Sequence, residues 1–132
     1  MKLYDSLTGE KRDFTPQGDE VKMYVCGVTP YSSAHVGHAM SYIYFDTLRR
    51  YLEFLGYQVK HVQNFTDIDD KIITEAGIQG TSPVMLVEEL VEEYLMDMAN
   101  LNVQELVEGS EPGEVDTADF NIVPETVAYD AF

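Results

Sequence analysis

The run CGVTPYSSAHVGHAM, from Cys26 to Met40, holds the only cysteine of the chain and two of its three histidines. His35 and His38 sit where a helix is expected to begin. The first N–H groups of a helix lack intrahelical partners and carry positive partial charge, so they suit a phosphate. Histidines in that first turn add hydrogen-bond donors aimed at the same oxygens. Gly37 between them lets a flat ring or a sugar approach the backbone, which a side chain would block. By spacing alone the residues of HVGH are open to two readings, nucleotide binding at a helix N-terminus and ordinary polar surface. Cys26 by itself reads as a small buried hydrophobe.

These residues need elements to place them. VKMYVCGV (21–28) is rich in β-branched and aromatic residues and reads as a strand buried on both faces. Gly27 starts a loop through Pro30. From Val36 the period becomes helical, with Met40, Ile43, Tyr44, Thr47, Leu48, Tyr51, Leu52 and Leu55 as the apolar stripe, Arg49, Arg50 and Glu53 mostly off it, and Gly56 as the stop. YQVKHVQNF (57–65) alternates like a second strand. Strand, helix, strand makes a βαβ unit with parallel strands, and ligands of such sheets bind beyond the strands' carboxyl ends. That is where strand 21–28 ends.

Other segments surround this unit. Residues 2–14 read as a hairpin turning at SLTGEK, anchored by Leu3, Tyr4 and Phe14. TDIDDKIITEAG predicts a short helix capped by Thr66 or Asp67 and ending near Gly77. A second long helix starts with Ser82 as N-cap and Pro83 at its first position. It carries Val84, Val87, Leu90, Val91, Tyr94, Leu95, Met98 and Leu101 on one face and Glu88, Glu89, Glu92, Glu93 and Asp97 on the other. His61 is expected inside or at the edge of the second strand with a satisfied ring. The tyrosines are expected to pack rather than to stack on bases.

The 132 residues suit one domain of the α/β class: residues 1–103 as its body and 104–132 as an acidic tail. That tail is read as disordered or as lying across an apolar groove through Phe120, Ile122, Val123, Tyr129 and Phe132, where it could meet a partner chain. Every Lys and Arg lies at or before Lys71, and residues 83–132 carry 13 acidic groups and no cation. Such a half repels phosphate backbones, so nucleic-acid binding by this chain alone should be weak. No stretch is apolar for long enough to span a bilayer, and the first residues lack the apolar centre of a secretory signal. With a single cysteine and no internal disulfide, a cytoplasmic home is expected.

MYVCGVTPYSSAHVGHAM followed by FDTLRRYLEFLGYQVKHVQNFTDIDDKI resembles the N-terminal catalytic segment of cysteinyl-tRNA synthetases, class I aminoacyl-tRNA synthetases. The resemblance covers roughly residues 2–103, through DMANLNV. It implies a partial Rossmann-type (HUP-like) parallel sheet with the N-terminal β-hairpin and flanking helices. It implies activation of cysteine with ATP as an adenylate, then transfer to tRNA-Cys. His35 and His38 match the histidines of the HIGH signature, which contact ATP and stabilise the adenylation transition state, with Gly37 between them at the nucleotide. Cys26 matches a zinc ligand whose metal binds the substrate thiol. Gly27 and Thr29 fall on the amino-acid side of the site. Asp67, Asp69 and Asp70 match TDIDDK and are read as caps and acceptors.

The chain departs from that pattern in several places. The other zinc ligands and the KMSKS loop of the family lie further downstream, no Lys follows residue 71, and Met40 stands where the family often has Arg. One thiolate does not hold zinc firmly, so zinc is expected of the family rather than of this chain. The resemblance thus implies the first part of the machine, with tRNA-Cys engaged only alongside the remainder. An excised domain, a truncated paralogue acting as an inactive acidic binding module, and one chain of a two-chain enzyme are alternative expectations. A cysteine ligase of the mycothiol-synthesis type is another, since TPYSSAHVGHA fits either enzyme.

Overall fold

The computed structural model describes residues 1–16, 18–103 and 107–108. The N-terminal hairpin pairs β1 (Lys2–Asp5) antiparallel with β2 (Glu10–Asp13), Lys2 opposite Asp13 and Asp5 opposite Glu10. Its turn is closed by Gly9 N–H donating to the Asp5 carbonyl at 2.8 Å and by Leu7 N–H donating to Asp5 Oδ1 at 3.0 Å. Leu3 and Phe14 are half-buried, but Tyr4, expected as a third anchor, is 59% exposed.

The main sheet runs β3 (Glu20–Val25), β4 (Gln58–Gln63), β5 (Val107–Glu108), all parallel. β3 and β4 are joined through helix α1 (Val36–Phe54), the βαβ unit read from the sequence. β5 was not anticipated: QELVEGS carries too few apolar residues to show a period. The rest of the acidic tail, and with it the expected groove through Phe120 and Phe132, lies outside the described residues. β3 stops at Val25 rather than at Val28, so Cys26 and Gly27 lie in the loop just past the strand's carboxyl end.

Two further helices follow: α2 (Asp70–Gln79) and α3 (Pro83–Asn100). The cap of α2 is Asp69, whose Oδ1 accepts from Lys71 N–H at 2.8 Å, not Thr66 or Asp67. The helix runs through Gly77 and ends at Gly80, which takes the left-handed conformation (φ 70°) that glycine adopts without strain. A single glycine inside a helix costs only about 1 kcal/mol, and Ile72 and Ala76 packing on Leu86 of α3 outweighs it. α3 begins as expected, with Ser82 Oγ accepting from Met85 N–H at 3.2 Å.

The core lies between the sheet and the helices. Met23, Val25 and Val28 pack with Tyr42 of α1, Tyr94 and Met98 of α3, and Val103. α1 buries little of the stripe that hydropathy suggests. Met40, Tyr44 and Leu55 are 75%, 67% and 46% exposed, and Leu52 is the stripe residue that is buried, beside Tyr42, Asp46 and Arg49. Charge becomes compatible with burial because it is paired: Arg49 Nη2 meets Asp46 Oδ1 at 2.6 Å, Arg50 Nε meets Asp46 Oδ2 at 2.6 Å, and Arg49 Nη1 meets Glu53 Oε1 at 2.7 Å. On α3 the expected face turns inward at Val87, Leu90, Val91, Tyr94 and Met98, whereas Val84, Leu95 and Leu101 are exposed.

Candidate functional site

The end of β3, the loop 26–34 and the first turn of α1 meet beyond the carboxyl edge of the sheet. α1 has an unusual cap. His35 is its N-cap, with Nδ1 accepting from Gly37 N–H at 3.0 Å, and His38 Nδ1 accepts in return from His35 N–H at 3.3 Å. This is the reciprocal logic of a capping box with imidazoles in place of a hydroxyl and a carboxylate. The two rings stack with centroids 4.0 Å apart and planes 12° apart. Gly37 makes this possible, because a Cβ there would come within 2.8 Å of His35 Cε1. The space at Gly37 that sequence reasoning left for a ligand holds the His35 ring.

This cap changes how the site can act. The Gly37 N–H is already used within the protein. A neutral imidazole that accepts at Nδ1 carries its proton on Nε2. Each ring accepting at Nδ1 therefore carries its N–H at Nε2, close to the positive end of the α1 dipole. The His38 pKa is held below the usual histidine value, first by burial and then by the neighbouring His35, which keeps that ring neutral near pH 7.

The loop is pinned at several points. Asn64 Oδ1, just past β4, accepts from Gly27 N–H at 2.9 Å and from Tyr24 Oη–H at 2.8 Å. Thr66 N–H donates to the Val28 carbonyl at 3.0 Å. Ser33 Oγ–H donates to Glu93 Oε2 at 3.0 Å, and the Lys71 ammonium lies 5.3 Å from the centre of the Tyr31 ring. Beneath the loop, Tyr42 stands edge-on to Tyr94, which accepts from Gln63 Nε2–H at 3.0 Å. Burial pushes the Tyr94 hydroxyl up to about 12 and raises Tyr42 as well, so both remain protonated donors.

Thr29 and His38 line one small open pocket with Val28, Pro30, Ser32, Ala34, Leu90 and Tyr94. Cys26 sits at the same end of the sheet but is not part of that lining. It is half-buried and packs against Tyr24 and Val62, on the face opposite Met23 and Val25. Asp69 caps α2, in line with the structural role read for it. Sequence reasoning passed over Asn64, whose signal was a short polar side chain directly after a parallel strand. It also expected a satisfied His61, whereas His61 Nε2 is buried without a hydrogen-bond partner. A zinc ion takes four ligands in a structural site and three in a catalytic one. Among the described residues no group of three or more His, Cys, Asp or Glu side chains comes together to hold a metal, so these residues by themselves do not fit zinc.

Comparison with known proteins agrees with this architecture. The sequence model described as "tRNA synthetases class I (C) catalytic domain" matches residues 14–118. The chain is similar to the cysteine–tRNA ligase of Dehalococcoides mccartyi, 56% identical over 104 residues, which is 78% of this chain and 23% of that protein. It is also similar to the cysteine–tRNA ligase of Archaeoglobus fulgidus, 51% identical over 106 residues, which is 79% of this chain and 23% of that protein. Among solved structures, Mycobacterium tuberculosis methionyl-tRNA synthetase bound by methionyl-adenylate superposes with a TM-score of 0.62 at 19% identity, over 70% of this chain and 19% of that one. That likeness concerns the fold. The chain spans about a quarter of the length of the curated relatives it matches. From the family match across most of its length, the chain belongs to the family of class I (C) tRNA synthetase catalytic domains.

Proposed function

We propose that residues 1–103 form the first part of a site that activates cysteine with ATP and passes it to tRNA-Cys. In the activation step a carboxylate oxygen of cysteine attacks the α-phosphorus of ATP. A C–O–P bond forms, the bond to the β-phosphate bridging oxygen breaks, and pyrophosphate leaves with the electron pair. Negative charge shifts onto phosphate oxygens as this happens, and donors already aimed at them stabilise the transition state. His35 and His38 supply such donors through Nε2–H, and the N-terminus of α1 adds its dipole. Gly37 leaves room for the His35 ring, and Thr29 lines the neighbouring pocket.

The observation that carries the reading is the stacked histidine cap at the carboxyl end of β3. Choice of cysteine as the substrate is supported by the similarity to cysteine–tRNA ligases. Cys26 and Gly27 are proposed on the amino-acid side. Cys26 stands outside any group of three or more His, Cys, Asp or Glu side chains among the described residues, so its proposed role is contact with the amino acid rather than metal binding. No helix among the described residues is long and apolar enough to cross a membrane, and a cytoplasmic location belongs to the same proposal. With a formal net charge of −16, the chain by itself should bind tRNA weakly.

Calorimetric titration of the chain with cysteinyl-sulfamoyl-adenosine, a non-hydrolysable adenylate analogue, tests the reading. Binding should be lost or fall about tenfold in His38→Ala, and the seryl analogue should bind more weakly. Equal binding of both analogues would overturn the assignment of cysteine. Binding indifferent to His38 would overturn the role given to the cap.

A further inference from the structure

We infer that Asn64 is a positioning residue for Cys26, acting through the peptide bond between Cys26 and Gly27. That peptide is held at both ends. Its N–H donates to Asn64 Oδ1 at 2.9 Å, and its carbonyl oxygen accepts from Tyr42 Oη–H of α1 at 3.4 Å. The Asn64 oxygen is itself fixed by a second donor, Tyr24 Oη–H, at 2.8 Å. Gly27 packs so closely that a Cβ on it would overlap the Asn64 backbone carbonyl. With β3 fixing the backbone on one side of Cys26, the held peptide plane fixes it on the other, and the two together place the Cα–Cβ bond that carries the thiol. The strand alone does not set it, because β3 ends at Val25.

An Asn–Gly contact between the ends of two parallel strands, with no room for a side chain, is an over-determined arrangement. The Asn64 bond is the stronger half, because 2.9 Å is near the optimum for N–H···O, while 3.4 Å is long for O–H···O. The role rests on the reading of Cys26 as a residue of the amino-acid side. Asn64 touches no reacting atom. It holds the backbone that aims one.

Amide exchange of the whole chain, followed by NMR, reads the clamp directly. In the wild-type protein the Gly27 N–H should be protected, and exchange at the rate of an open loop would overturn the inference without any variant. Asn64→Ala should speed Gly27 exchange about tenfold and Cys26 alkylation by iodoacetamide about fivefold, measured well below the unfolding midpoint. Asn64→Asp keeps an acceptor oxygen for both donors and should restore both rates to within about twofold of wild type. A merely structural Asn64 would lower the midpoint and speed Gly27 exchange in Asn64→Ala while leaving the Cys26 alkylation rate unchanged, and that result sinks the proposal. Tyr42→Phe should show a smaller change in the same direction. The two readings fail separately: a protein that binds no cysteinyl analogue yet shows the Asn64→Ala effects keeps the clamp and loses the cysteine assignment.

Discussion

The two long helices, α1 and α3, are of nearly equal length and lie against the same core, yet they are built on different rules. α3 starts with Ser82 and Pro83, the ordinary chemistry of a helix start, and buries Leu86, Tyr94 and Met98. α1 starts with two stacked histidines and buries Asp46 and Arg49 beside Tyr42 and Leu52. The α3 cap satisfies backbone donors and does no more. The α1 cap satisfies them and also sets which nitrogen of each imidazole keeps its proton. In α1, residue types usually found in sites or on surfaces carry structural duty as well, so changes there should affect stability and binding separately.

The largest expected difference is in the middle of the helices. Asp46→Ala leaves the buried Arg49 without its closest partner and should cost about 3–5 kcal/mol in denaturant unfolding. Glu92→Ala on the exposed face of α3 should fall within about 0.5 kcal/mol of wild type. Comparable values for the two variants would show that the α1 ion pair is a surface feature.

pH sharpens the same contrast, because α1 places Arg49 near His61 of β4. Burial first, and then the Arg49 charge, lower the His61 pKa to about 4, with Asp46 opposing. The folded protein thus binds fewer protons at His61 than the unfolded chain does. Its contribution is complete above the unfolded histidine value, near 6.5, and is lost as pH falls from there toward 4. Partial exposure reduces the effect to roughly 2 kcal/mol. Stability curves of wild type and His61→Gln should diverge across that window, and parallel curves would remove His61 from the account.

The caps differ by less. His35→Ser replaces one N-cap residue with another good one, so stability should change by no more than about 0.5 kcal/mol. Binding of the adenylate analogue should nevertheless weaken about tenfold, as the Nε2–H is lost. Ser82→Ala should do the reverse, costing about 1 kcal/mol in unfolding and leaving the analogue's affinity unchanged. If His35→Ser bound like wild type, the two caps would be equivalent and the special role of α1's first turn would fall.

Much of this could be read without coordinates. The change of period at Val36, the alternation of 57–65, the pair Ser82–Pro83 and the stop at Gly56 are local signals, and each element formed where its signal lay. Boundaries shifted where capping competed, as at Asp69 against Thr66, because neighbouring side chains can take the same role and their geometry selects one. The stripe on α1 misled for a different reason. Hydropathy counts Asp46 and Arg49 as solvent residues, and nothing local shows that their bonds to each other let them face the sheet.

The sequence by itself determined the βαβ order, the helix starts and the presence of a thiol and two imidazoles between a strand and a helix. These depend on residue type and spacing over a few positions, and the chain carries that information locally. Tertiary structure alone decided which face of α1 turns inward, which ring nitrogens are taken up by the cap, and that Asn64, 37 residues beyond Gly27, grips its amide. Each of these depends on atoms brought together from distant positions, where a hydrogen bond or an ion pair exists only once both partners are in place.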